Sequence, residues 1–220
     1  MEQAHVAAEA KAAFVLGLRG RGIRNLALLR ALERVPREIF VPHRYTDLAR
    51  RDLALPIGCG QTLSEPWLIA RMIEALAPGP EHNVLEVGTG SGYGTAILAE
   101  IGRSVVSLER FQTLAIAARL RLENIGLANA RVVMADGLAL PSDAGPFDRI
   151  ILHGAVTELP PQITGRVTPG GKIVFAKPDP TAEWRQVLIE ATLTQEGQLI
   201  ERTRGACRLQ RLLPGLARIL

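Results

Sequence analysis

The sequence predicts an α/β fold: a Rossmann-like, doubly wound sheet with an N-terminal helical segment and a C-terminal β-hairpin. Three observations carry this. From residue 83 to residue 176, strand-like apolar runs alternate with helix-like stretches, the pattern of a parallel sheet flanked by helices on both faces. The first run, Val84-Leu85-Glu86-Val87, passes through Gly88, Gly90 and Gly92 into a helix-like segment, Tyr93 to Glu100. A strand, a glycine-rich turn and a helix make the nucleotide cradle of such sheets. After Pro180 the alternation stops, and segments 184–194 and 198–211 flank a Gln195-Glu196-Gly197 turn, as a terminal hairpin would.

The remaining elements follow in chain order. Residues 3–18 carry apolar positions at helical spacing and end near Gly17 and Gly20. Asn25 can cap a second helix, Leu26 to Arg34, stopped by Val35-Pro36. Phe40-Val41-Pro42 opens an irregular stretch, and residues 52–63 read as a loop because they hold Pro56, Gly58 and Gly60. Pro66 suits the first turn of a helix running to about Ala77. Expected strands are 83–87, 104–108, 131–134, 147–152 and 171–176. Expected helices are 92–101, 111–125 and about 160–167. Residues 1–80 are therefore read as a helical segment with a substrate-side loop, and 81–220 as the sheet core with its hairpin, in one compact unit.

The chain has 220 residues, enough for one domain with a sizeable core. No apolar run reaches the length of a membrane helix. The first residues lack a basic segment leading into an apolar one, so a cytoplasmic location is expected and no membrane partner. Net charge is +4, but the arginines are scattered and no aromatics interleave with them. A background preference for Arg explains this better than nucleic-acid binding. Cys59 and Cys207 are read as reduced thiols. The four histidines have no ligand spacing, so no metal is expected.

The glycine spacing is Gly-x-Gly-x-Gly, not the Gly-x-Gly-x-x-Gly of dinucleotide folds. Glycines there let a ligand approach the backbone. A pyrophosphate wants an open helix N-terminus, and Glu86 at the strand end would repel it. Glu86 suits a ligand carrying an ammonium and a sulfonium, which points to S-adenosyl-L-methionine. Glu109 ends the second strand about 20 residues beyond the turn, where a carboxylate meets the two ribose hydroxyls of a nucleoside; a solvated charge beside Arg110 is the alternative. Asp136, after the third strand, can accept from an adenine amino group, with Gly137 leaving room for the ring; an ordinary Asp-Gly turn is the alternative. Asp148 is read as structural. The run Leu55 to Pro66 holds too many special residues for a plain linker. Thr62 and Ser64 offer hydroxyls at the mouth of a helix, and Ser64 is equally readable as that helix's cap.

The chain resembles the protein-L-isoaspartate (D-aspartate) O-methyltransferase family over most of its length. The resemblance is carried by Arg21-Gly22-Ile23, Val35-Pro36-Arg37-Glu38, Phe40-Val41-Pro42, Leu55 through Ser64, Val84 through Tyr93, Ser107 through Arg110, Asp136-Gly137, Pro146-Phe147-Asp148 and Pro169-Gly170-Gly171. The loop Leu-Pro-Ile-Gly-x-Gly-Gln-Thr-x-Ser-x-Pro is close to diagnostic. The resemblance implies a class I S-adenosylmethionine-dependent methyltransferase that esterifies the free carboxylate of L-isoaspartyl residues in damaged proteins or peptides, a repair reaction. It releases S-adenosyl-L-homocysteine. It implies Ser64 as the active-site residue. It implies cofactor contacts at Glu86, Gly88, Thr89, Gly90, Gly92, Glu109, Arg110, Asp136 and Gly137, and at Trp67 near the start of the helix after Ser64. Thr62, His153, Gly154 and Ala155 fall on the substrate side. A monomer or weak oligomer is expected.

An isoaspartyl carboxylate is ionised at neutral pH and needs no general base. A hydroxyl and backbone amides suffice to orient it, so catalysis is mainly positioning. Three segments depart from the family pattern. His153-Gly154-Ala155 stands where Thr-Ala-Ala is usual, Ala176-Lys177-Pro178 stands for Pro-Val-Gly, and Glu65 follows the active-site Ser. A related methyltransferase with another acceptor, or a cofactor-binding protein without turnover, are the alternatives these leave. A cationic His153 would attract an acceptor carboxylate; packing against the sheet edge is the other reading.

Overall fold

The computed structural model describes residues 2–217 apart from Ser142, with the side chains of residues 2–8 and Glu183 left aside. Helix α1 spans Glu2–Gly20 and α2 spans Leu26–Arg34. The Leu28 amide donates to Asn25 Oδ1 at 3.0 Å, the expected cap. Two short 3₁₀ turns, Arg37–Phe40 and His43–Leu48, fill the irregular stretch. The loop before the next helix is a small hairpin of β1 (Leu55–Pro56) and β2 (Thr62–Leu63). Helix α3 runs from Pro66 to Leu76.

The sheet then builds from β3 (Asn83–Val87), α4 (Tyr93–Ile101), β4 (Ser104–Glu109), α5 (Gln112–Asn124) and β5 (Ala130–Met134). It continues with β6 (Phe147–Ala155), α6 (Pro161–Thr164), β7 (Val167–Asp179), β8 (Ala182–Leu193) and β9 (Leu199–Cys207). Strand order is β5-β4-β3-β6-β7-β8-β9. The first five are parallel; β8 and β9 add antiparallel. The chain moves outward from β3 to β5 and then returns to lay β6 on the other side of β3. That reversal opens a crevice at the carboxyl ends of β3 and β6, where ligands bind in such sheets.

The alternation of β3 splits the core. Val84 joins a cluster that includes residues of all five helices α1 to α5. Leu85 and Val87 face a second cluster covered by Ile163 of α6 and by the loops around Leu140 and Val156. The expectation of helices on both faces is thus met by only one turn on the second face. Among the described residues the β5–β6 connection has no helix, and the expected 160–167 helix shortens to Pro161–Thr164 between Pro160 and Gly165. The N-terminal segment shares the first cluster with the sheet and with α3.

The hairpin's inner strand carries a charge. Glu190 is 3% exposed and lies between Lys172 Nζ (2.8 Å) and Arg204 Nε (2.7 Å). Burial opposes its ionisation, but the hydrogen bonds from Lys172 and Arg204 outweigh this and hold the carboxyl below its ordinary value of about 4.5. A lowered native pKa stabilises the fold above the unfolded-state pKa, and this contribution is lost as pH falls through the native one. Glu190→Gln should therefore lower stability by about 1–2 kcal/mol at pH 7, the low end for charged hydrogen bonds because both partners are partly exposed. Thermal melts from pH 7 to pH 3 check it: the gap between variant and wild type should close on acidification.

Candidate active site

The crevice is a cleft of about 1050 Å³, its solvent-open mouth included. Most of its wall comes from four places: the Gln61–Ser64 loop, the turn from Glu86 to Ser91, the strand ends at Glu109–Arg110 and Asp136–Gly137, and a C-terminal segment, Gln210–Leu213.

The glycine turn follows β3 directly. Gly88, Gly90 and Gly92 all have positive φ (94°, 55° and 92°), which side-chain-bearing residues rarely adopt. Gly92 does not line the cleft. It starts α4 and faces Ala118, whose Cβ would lie 3.1 Å from an added Cβ. Thr89 is buried, its hydroxyl 2.5 Å from that of Ser107.

Glu109 closes the turn from the next strand. Its Oε2 accepts from the Gly90 amide at 2.8 Å and its Oε1 from the Phe111 amide at 3.0 Å. Asp136 Oδ1 accepts from Leu138 N at 2.9 Å, and its Oδ2 accepts from Gly215 N at 2.6 Å. Gly137 has a reason beyond ligand room: a Cβ there would stand 2.4 Å from Val87 Cγ1. Asp148 sits at the opposite end of its strand, receiving Asn83 N at 2.8 Å, a structural role as expected.

Ser64 lines the cleft beside Thr62. The N-cap position of α3 belongs to Glu65, whose side chain makes no cap bond, and the free Trp67 amide of the first turn donates to Asp52 Oδ1 and not to Ser64. The capping alternative for Ser64 is thereby overturned, because the helix begins one residue later than a Ser64 cap requires. Ser64 is positioned by Arg37, which sequence reasoning matched only as part of a motif. Arg37 is 2% exposed and donates to the carbonyls of Ala49 (2.5 Å), Leu53 (3.4 Å) and Ser64 (3.0 Å). Burial pulls its guanidinium below the ordinary value. Its sequence signal was a lone Arg after Val35-Pro36, indistinguishable from a surface charge.

Several expected site residues are placed elsewhere. Trp67 is not part of the cleft wall. Its ring is stacked between Arg21 (4.1 Å) and Arg71 (4.4 Å), and its amide donates to Asp52 Oδ1 at 2.9 Å. Gly154 and Ala155 lie behind the wall, not on it. The Ala155 amide donates to Gln210 O at 2.8 Å and Leu212 N donates to Ala155 O at 2.9 Å. A Cβ on Gly154 would meet Leu212 Cγ at 2.5 Å. These two residues therefore seat the C-terminal segment. That strap was missed in the sequence, where residues to 211 were read as strand; β9 ends at Cys207 and the chain turns back over the sheet. Arg110 anchors it, donating from Nε to Gly215 O at 2.9 Å and accepting at its own carbonyl from Ala217 N at 3.1 Å. Lys177 pairs with Glu201 across the hairpin. Cys59 and Cys207 are free thiols.

His153 does line the cleft, but its imidazole turns inward. Nε2 lies 2.9 Å from Glu86 Oε1. The expectation of a cation facing the acceptor is replaced by a pair beneath the glycine turn.

The donor set fits S-adenosylmethionine. Two carboxylates, Glu109 and Asp136, stand at strand ends on the cleft wall. Glycines with positive φ leave the turn open, and buried Glu86 keeps an Oε1 without a hydrogen-bond partner. Among the described residues no helix is long and apolar enough to cross a membrane.

Comparison with known proteins agrees with this geometry. Residues 9–212 match the family described as protein-L-isoaspartate(D-aspartate) O-methyltransferase. A protein-L-isoaspartate O-methyltransferase 2 of Rhodopseudomonas palustris (strain HaA2) is 45% identical over 96% of this chain and 95% of its own. A protein-L-isoaspartate O-methyltransferase of Nitrobacter winogradskyi is 42% identical over 96% and 95%. In fold, the chain is similar to a solved protein-L-isoaspartate O-methyltransferase (TM-score 0.82, 24% identity, 94% of this chain and 67% of that one). It is also similar to a Plasmodium falciparum relative solved with S-adenosyl-L-homocysteine (TM-score 0.79, 22% identity, 91% and 97%). With the family matched from residue 9 to residue 212, this chain belongs to the protein-L-isoaspartate(D-aspartate) O-methyltransferase family.

Proposed function

We propose that this chain methylates the free carboxylate of L-isoaspartyl residues in damaged proteins and peptides, with Ser64 orienting that carboxylate. The observation that carries it is one cleft shared by the Gln61–Ser64 loop and the Gly88–Ser91 turn. Bound S-adenosylmethionine supplies a methyl group on a sulfonium, which an ionised carboxylate accepts without prior loss of a proton. Glu109 and Asp136 would hold the nucleoside, and the turn with Glu86 the amino-acid end. Arg37 fixes the Ser64 backbone, so the hydroxyl is pre-positioned at little entropic cost when an acceptor binds. No further group is needed, because the reaction asks for alignment and not for a proton shuttle.

The experiment is methyl transfer to an isoaspartyl peptide beside its aspartyl twin. Transfer confined to the isoaspartyl peptide is expected. Equal transfer to both, or transfer to neither with efficient methylation of another acceptor, would replace the substrate assignment. Binding of the cofactor product without transfer to any acceptor would favour a protein that holds the cofactor without turnover.

A further inference from the structure

The strap runs along the cleft in a fixed order. Gln210 meets the loop that leads to Ser64, its Nε2 donating to Gly60 O at 3.2 Å. Further along, Gly215 meets the other side, its amide donating to Asp136 Oδ2 at 2.6 Å. Arg211 follows Gln210 directly and so belongs to the Ser64 end of this path. Its backbone is pinned on both sides. The Ala155 amide donates to Gln210 O at 2.8 Å, and the Leu212 amide donates to Ala155 O at 2.9 Å. Gln186 clamps the chain just before, bonding to the amide of Leu209 at 2.7 Å and to its carbonyl at 2.9 Å.

The charges around the cleft leave Arg211 unmatched. It lines the cleft and is exposed, and among the described residues its side chain has no hydrogen bond or ion pair. Arg110, the other arginine on the wall, is committed to Gly215 O at 2.9 Å. Glu109 and Asp136 each accept two backbone amides. Glu86 is fully buried. Glu65, the anion that follows Ser64, does not line the cleft; its charge acts on Arg37. Gln61, Thr62 and Ser64 bring only neutral polar groups to the same cleft. A cation without a counter-ion, beside neutral hydroxyls, suits an anionic ligand.

We propose that Arg211 is the cation that binds the acceptor's isoaspartyl carboxylate at the Ser64 end of the cleft, and that it selects acceptors by that charge. This rests on the function proposed above. A carboxylate has two oxygens, so one can be held while the other keeps a lone pair for the methyl. That lone pair forms the C–O bond, the S–C electron pair leaves on sulfur, and the anion becomes a neutral ester. The ion pair is thus made with the acceptor and not with the product. Its attraction fades as the carboxylate loses charge in the transition state. Arg211 therefore acts on KM, and its removal leaves kcat unchanged or slightly higher.

Steady-state methylation of a peptide whose only carboxylate is the isoaspartyl one tests this. Arg211→Gln should raise KM by about five-fold, the worth of one partly exposed ion pair. Wild-type KM should rise with added salt, and that of Arg211→Glu should fall. The same peptide with its isoaspartyl carboxylate converted to the amide should inhibit wild type and Arg211→Gln equally, because it offers no charge. An unchanged KM in Arg211→Gln would overturn the proposal. Equal weakening of the charged peptide and its amide would also do so, assigning the loss to packing. Calorimetry of S-adenosylhomocysteine should give the same affinity in both proteins; a five-fold loss there would move Arg211 to the cofactor's carboxylate and overturn the assignment. Wild type that methylated the aspartyl twin as readily, or neither peptide, would instead sink the isoaspartyl reading, and this assignment with it.

Discussion

Glu109→Ala should weaken S-adenosylhomocysteine binding by about 100-fold or more, with a matching loss of the product's thermal stabilisation. The carboxylate has two tasks. It accepts the Gly90 amide and so holds the turn in shape, and in the proposed function it also accepts from the ribose hydroxyls. Hydrogen bonds to a charged group are each worth about 1.5–3 kcal/mol, and a ribose diol makes two, which sets the size of the effect. The variant also leaves the Gly90 and Phe111 amides without their acceptor, so part of the loss will be turn disorder. Glu109→Gln keeps one of the two acceptor oxygens, so it can hold only one of the two amides, and its loss should fall between wild type and Glu109→Ala. Calorimetry with all three proteins checks it. Wild-type affinity in Glu109→Ala would remove Glu109 from the site.

Ser64→Ala should reduce kcat/KM on an isoaspartyl peptide by about ten-fold or more, the loss of one oriented hydrogen bond to a charged acceptor. Cofactor-product affinity and melting temperature should be nearly unchanged. The second half is the sharper test. Glu65, not Ser64, occupies the cap position of α3, so removing the hydroxyl takes no bond from the helix. A variant with unaltered kcat/KM would show that the hydroxyl lines the cleft without orienting the acceptor.

Most of the architecture was legible because it is local. Hydrophobic period and glycine placement are properties of neighbouring residues, so β3 and α2 stand where their patterns put them. The strap was illegible for the opposite reason. Residues 208–217 carry no periodicity, and their course is set by partners far away, the backbone of Ala155 and the carboxylate of Asp136. Trp67 shows the same limit within the site. Sequence distance placed it near Ser64, but which face of α3 it takes depends on Arg21 and Arg71. Gly154 was legible as a departure from the family pattern, yet its reason, the Leu212 side chain, appears only when the two ends of the fold meet.

The strap has a kinetic consequence. Gln210 Nε2 donates to Gly60 O at 3.2 Å, closing one side of the cleft with a contact between residues 150 apart. The cradle is local by comparison, with Glu109 and Gly90 only 19 apart. Contacts of long sequence separation form late, because the entropy of closing the intervening chain must be met first. A refolding molecule therefore owns a cradle before it owns a cleft. On the ribosome, too, the side of the cleft that Gln210 completes must wait until β8, β9 and the segment behind them have been made.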